Sequence, residues 1–191
     1  MSRFFAYLAR MKHIKRWGLM RNVETENIQE HSHACAVLAH GLAVLKNTRF
    51  GGCVDVGRVV QLALFHEAAE VITGDLPTPI KYYNSDIKAA YKAIEGQATQ
   101  RLLDMLPADM REVYVPLLYP PEDEVSMLVK AADKLCAYIK CLEELKAGNQ
   151  EFAEAKATTE QALHDMHMPE VEAFMEAFLP GFSLSLDGLN R

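Results

Sequence analysis

The stretch HEAAEVITGDLPTP, residues 66–79, sets a histidine and two carboxylates beside an apolar run and follows them with an acidic, proline-rich loop. Imidazole and carboxylate are the side chains that bind first-row cations and move protons near neutral pH. If the helix of Leu62-Ala63-Leu64-Phe65 continues, Glu70 projects between His66 and Glu67 at 100° per residue, and the three share one arc of about 100°. That arc borders Leu62, Ala63 and Ala69. Carboxylates in apolar surroundings are usually paired or bound to a cation. The plainer alternative is a solvated edge with a core histidine. The His-Glu-x-x-His motif of zinc proteases is excluded, because the position four after His66 is Glu70.

A metal would need further ligands. His31 lies in Gln29-Glu30-His31-Ser32-His33, early in a helix. His33 is two residues on and faces nearly the opposite way, so one of the two is structural. Asp133 has Val129 and Cys136 as helical neighbours and stands at the edge of an apolar stripe. Taken alone, Asp133 is better explained by a salt bridge to Lys130 or Lys134.

The elements that must carry these residues are helical. Phe4, Phe5, Leu8, Met11 and Ile14 recur at helical spacing. Asn27 with Glu30 forms a reciprocal cap for a second helix running to about Lys46. Gly51-Gly52 breaks the chain, and Asp55 caps a third helix to Ile72. Residues 73–79 form a loop by their Gly and Pro content. Asn84 or Ser85 starts a long helix, Pro107 a short one, and Glu122 to Lys146 another, closed by Gly148. Two more follow, split near Pro169. No strand, repeat or low-complexity segment stands out. The expected fold is all-α, one helical domain over residues 1–191.

Bulk properties narrow the function classes. The net charge of −6 argues against a sequence-independent nucleic-acid binder. No apolar run reaches the roughly 18 residues of a membrane span. Cys35, Cys53, Cys136 and Cys141 make no C-x-x-C pair and read as thiols of a reducing compartment. Arg3, Arg10, Lys12, Lys15, Arg16 and Arg21 precede the first acid, Glu24, as in a transit segment. Their continuity with the motif residues favours the cytoplasm.

His31, then His66 with an adjacent acid, then Asp133, all on helices, resembles the H…HD…D pattern of the HD-domain phosphohydrolases. The words Arg16-Trp17-Gly18-Leu19-Met20-Arg21-Asn22, Glu30-His31-Ser32, Thr73 to Pro79 and Leu135 to Leu145 are similar to the bacterial 5'-deoxynucleotidases of that superfamily, over nearly the whole chain. The resemblance implies the helical HD-domain fold and hydrolysis of deoxyribonucleoside 5'-monophosphates with one divalent metal ion, such as cobalt, manganese or another first-row ion. It implies His31, His66, Glu67 and Asp133 as metal ligands, with His31, Glu67 and Asp133 also lining the substrate site. It implies Arg16 and Trp17 at the nucleotide, with Arg16 orienting the phosphate. Asp75, Leu76, Pro77 and Thr78 would meet the sugar and base, and Glu70 would handle the proton. A homodimer is also implied.

The chemistry of the residues is compatible. Arginine offers a planar fork for phosphate oxygens. A tryptophan can stack on a base, although anchoring a core is its commoner use. Asp75 can equally be a turn residue. One residue departs from the family pattern: the His-Asp pair is His66-Glu67 here. That leaves two alternatives open, an HD hydrolase of another phosphorylated nucleotide and a non-catalytic protein that binds nucleotide or metal.

Overall fold

The computed structural model describes residues 1–81 and 83–191. Among them the only β-pairing is an isolated antiparallel bridge between Lys15 and Asn27. The α-helices are α1 (Phe4–Leu8), α2 (Ile28–Arg49), α3 (Val56–Phe65), α4 (Glu70–Thr73), α5 (Thr78–Lys81), α6 (Ser85–Asp104), α7 (Ala108–Leu118), α8 (Glu124–Lys146), α9 (Ala153–His164), α10 (Pro169–Phe178) and α11 (Leu186–Leu189).

The caps explain most boundaries. Asn27 Oδ1 accepts from the backbone of Gln29 and Glu30, and Glu30 reaches back to the Asn27 N–H at 3.2 Å. Asp55 accepts from Arg58 N and Asn84 from Ile87 N. α8 starts on a capping box of Asp123 and Ser126. It ends at Gly148, whose φ of 90° lies in the left-handed region that glycine adopts without cost.

Three expectations are corrected. The first helix ends at Leu8, and a 3-10 turn, Met11–His13, carries the chain on. Residues 73–79 are not all loop, because α5 begins at Thr78. The third helix stops at Phe65 instead of Ile72. Across residues 66–69 the bonds tighten to i→i+3, with Ala68 N donating to Phe65 O and Glu70 N to Glu67 O, both at 3.0 Å. With three residues per turn, side chains three apart eclipse each other. Glu70 therefore lies over Glu67 rather than midway between Glu67 and His66.

The chain folds into two compact units. The first holds Met1–Arg21, Thr25–His33 and Leu64–Pro121. Its core gathers Phe4, Met11, Ile28, Ala68, Val71, Leu102, Leu103 and Leu106. Tyr114 closes it, taking Phe4 and Phe65 edge-on at ring distances of 5.0 and 5.7 Å, the geometry aromatic quadrupoles favour. Packing of Ala68 and Val71 into this core fixes the short turn that carries His66, Glu67 and Glu70.

The second unit holds Asn22–Glu24, Ala34–Ala63 and Glu122–Arg191. α8 is its axis. Leu128, Ala131, Ala132, Leu135 and Ile139 bury against Leu38, Leu42 and Leu45 of α2 and Val59 and Leu62 of α3. Toward the end of α8 the buried Glu144 takes hydrogen bonds from the backbone of Val23 and Glu24, from Lys140 and from Asn149. Lys140 Nζ also donates to the Glu24 carbonyl. This charged cluster holds residues 22–24. Cys35, Cys136 and Cys141 are buried and Cys53 is exposed, and none of the four forms a disulfide.

Candidate active site

Most of the candidate residues belong to the first unit. His31 sits one turn into α2 and is fully buried, whereas His33 is exposed. Of the two histidines, His31 is thus the one that faces inward. Its Nε2 lies 3.3 Å from His66 Nε2. Glu67 Oε1 is 3.4 Å from His66 Nε2 and 3.8 Å from His31 Nε2. Three donor atoms on two separate chain segments therefore converge.

These spacings suit a cation. Metal–nitrogen bonds of about 2.05 Å in a tetrahedral arrangement put neighbouring donors about 3.3 Å apart. Glutamate at position 67 is one methylene longer than the aspartate of the family pattern, yet its oxygen reaches the shared point. Mixed imidazole and carboxylate donors fit several first-row divalent ions.

The electrostatics point the same way. Burial alone would raise the Glu67 carboxyl, but His66, Arg16 and His31 outweigh it and hold the group well below the usual carboxylate range. Glu70 goes the other way. Burial, then the charges of Glu67 and Asp75, push its carboxyl well above the ordinary value. Its Oε2 is buried with no hydrogen-bond partner among the described residues. Two carboxylates three residues apart thus have opposed protonation preferences, as acid–base sites require. Burial also raises Asp75, with Arg16 pulling against it.

The loop of residues 14–28 brings in the next pair. Arg16 N donates to Glu26 O, and Ile28 N to Ile14 O, both at 3.0 Å, which pins the two ends of the loop together. Trp17 has φ of 60°, a conformation costly for a bulky L-residue. The Arg16 guanidinium contacts Glu26 Oε2 at 3.3 Å through Nε and Glu67 Oε1 at 3.4 Å through Nη1. Trp17 is only partly buried and donates its Nε1–H to Glu26 Oε2 at 3.0 Å, so it is no ordinary core anchor.

Asp75, Leu76 and Pro77 are partly buried and follow Gly74, whose φ of 74° lets the chain reverse after α4. Thr78 is exposed at the start of α5. Tyr91 Oη stands 3.5 Å from the Gly74 carbonyl and Lys81 lies over the Tyr91 ring, which tethers the loop at both ends. Asp133 belongs to α8 in the second unit, where it is partly buried.

Glu26 is the residue that motif reading missed. It lies in the polar stretch Glu24-Thr25-Glu26-Asn27, which looks like ordinary solvated loop. In the fold its carboxylate accepts from Arg16 and Trp17, and His31 Nδ1 lies 3.5 Å from its Oε1. Burial opposes ionisation of Glu26, but His31, Arg16 and Trp17 hold its carboxyl below the ordinary value.

Comparison with known proteins identifies the family of the chain. The profile of a family described as 5'-deoxynucleotidase YfbR-like matches residues 3–182. The chain is 53% identical over 192 residues to the 5'-deoxynucleotidase YfbR of Escherichia coli, covering 100% of this chain and 96% of that protein. Its backbone is similar to that of an HD-domain phosphohydrolase from Listeria innocua, with a TM-score of 0.84 at 20% identity over 98% of this chain and 92% of that one. The cyanophage S-2L HD phosphohydrolase DatZ, solved bound to dA and one catalytic Zn2+ ion, is similar with a TM-score of 0.66 at 22% identity, covering 93% and 95%. At such identities the structural likeness establishes the HD-domain fold.

Proposed function

The chain belongs to the YfbR-like 5'-deoxynucleotidases, and from that premise we propose that it hydrolyses deoxyribonucleoside 5'-monophosphates to deoxynucleoside and phosphate, using one divalent metal ion. The observation that carries this reading is the convergence of His31 Nε2, His66 Nε2 and Glu67 Oε1 within 4.8 Å of one another. Asp133 is the proposed fourth ligand, supported by its place in the H…HD…D order. The family match spans residues 3–182 without a break, which supports a single HD-type domain over 1–191.

When bound, the metal supplies positive charge to the phosphate and lowers the pKa of a bound water. The remaining work falls to side chains. Arg16 is held from two sides by Glu26 and Glu67, so its planar fork is oriented before a phosphate arrives. In the reaction a water oxygen joins phosphorus, the bond from phosphorus to the 5' oxygen breaks, and a proton reaches the leaving 5' oxygen. Glu70 is the acid–base residue for that transfer. Burial and its acidic neighbours favour its protonated form, the form that can donate. Trp17 offers its ring to the nucleoside. The braced loop Asp75, Leu76, Pro77 and Thr78 meets the sugar and base, and Asp75 reads the position that separates deoxyribose from ribose.

DatZ was solved bound to dA and one catalytic Zn2+ ion, which supports both the deoxynucleoside class and a single first-row metal; cobalt, manganese and zinc all suit the donor set. We place the enzyme in the cytoplasm as a homodimer, on the strength of the family resemblance. No helix among the described residues is long and apolar enough to cross a membrane, and the charge of −6 disfavours a nucleic-acid substrate. Phosphate release from dAMP, AMP and 2'-deoxyadenosine 3'-monophosphate tests the reading. Turnover of dAMP well ahead of the other two is expected. Equal rates for dAMP and AMP would refute sugar selection, and faster release from the 3'-phosphate would refute the 5'-specific reading.

A further inference from the structure

Glu26 joins groups that the proposed chemistry uses separately. Its Oε2 accepts from Trp17 Nε1 at 3.0 Å and Arg16 Nε at 3.3 Å. Its Oε1 faces His31 Nδ1 at 3.5 Å. Its backbone carbonyl accepts from Arg16 N at 3.0 Å. The side chain is 18% exposed, enough removed from water for these contacts to be oriented and not merely screened. Glu26 immediately precedes Asn27, the N-cap of α2, so the helix start fixes its backbone.

We infer that Glu26 is a positioning residue that couples the metal ligand His31 to the phosphate- and nucleoside-binding residues Arg16 and Trp17. The inference rests on the reading that His31, His66 and Glu67 hold a metal. A carboxylate at Nδ1 keeps the proton on that nitrogen and leaves the Nε2 lone pair turned to the shared donor point. A cation at Nε2 makes the Nδ1–H a stronger donor and draws it toward Glu26. The same carboxylate then bears differently on the Trp17 indole N–H. The single tryptophan of the chain is thereby a built-in reporter of the metal site. A purely structural glutamate at the loop base would contribute to folding without linking these two events.

The test uses the full chain stripped of metal and titrated with Zn2+, which is diamagnetic and does not quench indole by itself. Zn2+ uptake is followed with a competing chromophoric chelator and, in parallel, by Trp17 emission. Wild type, Glu26→Gln and Glu26→Asp are compared, with thermal melts of the metal-stripped proteins as the check on folding. Glu26→Gln is expected to weaken Zn2+ affinity about 10- to 100-fold and to abolish the emission change. With saturating metal, its KM for dAMP rises several-fold more than its kcat falls. If Glu26→Gln does not fold, Glu26→Asp carries the same prediction, since the shorter arm cannot hold all three partners. Wild-type Zn2+ affinity in the variant, or a metal-induced emission change that persists in it, overturns the inference. No Zn2+ uptake by wild-type protein would instead overturn the metal reading itself, and the coupling with it.

Discussion

Replacing Glu144 with glutamine removes one charge from a buried cluster and leaves its shape intact. The carboxylate is 1% exposed. It accepts from Val23 N at 2.9 Å, Glu24 N at 3.1 Å and Asn149 Nδ2 at 2.8 Å, and is paired with Lys140. Burial pushes its carboxyl up, but Lys140, Asn149 and the two backbone donors prevail and bring it down from 4.5 to about 2. Holding the carboxyl that far down is worth about 3 kcal/mol of stability at neutral pH. A depressed carboxyl stabilises fully above its unfolded pKa, and the contribution fades as pH falls through the folded value. Here it is complete above about pH 5, about 2 kcal/mol at pH 3.5, and lost below about pH 2. In Glu144→Gln the amide nitrogen must also face donors, and Lys140 is left buried without its anion, so a loss of about 3 kcal/mol is expected. With a urea m-value of about 3 kcal/mol/M, the unfolding midpoint at pH 7 moves down by about 1 M. Urea titrations of wild type and variant at pH 7 and 3.5 are the assay. The gap should narrow by about a third at the lower pH. A midpoint shift near zero, or a gap equal at both pH values, would show that the cluster does not stabilise through its charge.

Three further substitutions probe the site. Glu70→Gln should lower kcat by about 10^2- to 10^4-fold while Zn2+ affinity stays within a few-fold of wild type, and unchanged turnover would remove Glu70 from proton transfer. Arg16→Lys keeps the charge and loses the fork, so kcat/KM for dAMP should fall about 10- to 100-fold; wild-type kinetics would mean that Arg16 does not bind phosphate. Asp75→Asn should bring the dAMP-to-AMP rate ratio toward one, and an unaltered ratio would place sugar selection elsewhere.

The helix starts were legible because the capping side chains are local: Asn27 with Glu30, Asp55 and Asn84 each satisfy backbone donors within three residues. The family words around Arg16, His31 and Asp75 were legible for the same reason, each being contiguous. The tightening at residues 66–69 was not. Ala68 and Val71 sit in an apolar pattern that a continuous α-helix would bury just as well, so periodicity runs straight through the turn that brings Glu70 onto Glu67. Glu26 and Glu144 were hidden by their neighbours. Glu26 lies in a polar run that reads as solvated, and Glu144 is one of two adjacent glutamates on a helix, where either could face water; the fold brings His31 to the one and the backbone of residues 23 and 24 to the other. The left-handed backbone of Trp17 leaves no signal at all, because the residue that adopts it is not a glycine.

The proposed metal site requires Glu67 to serve where the family carries aspartate. The direct measurement is phosphate release from dAMP by metal-stripped wild type and Glu67→Gln, each with cobalt, manganese, magnesium, zinc or no metal. Wild-type protein should release no phosphate without metal and regain turnover with a first-row ion, while Glu67→Gln stays silent with all of them. Wild-type turnover without metal, or restored turnover in Glu67→Gln, would contradict the role given to Glu67. Metal uptake by wild type without any phosphate release would make the protein a binder of metal and nucleotide rather than a hydrolase.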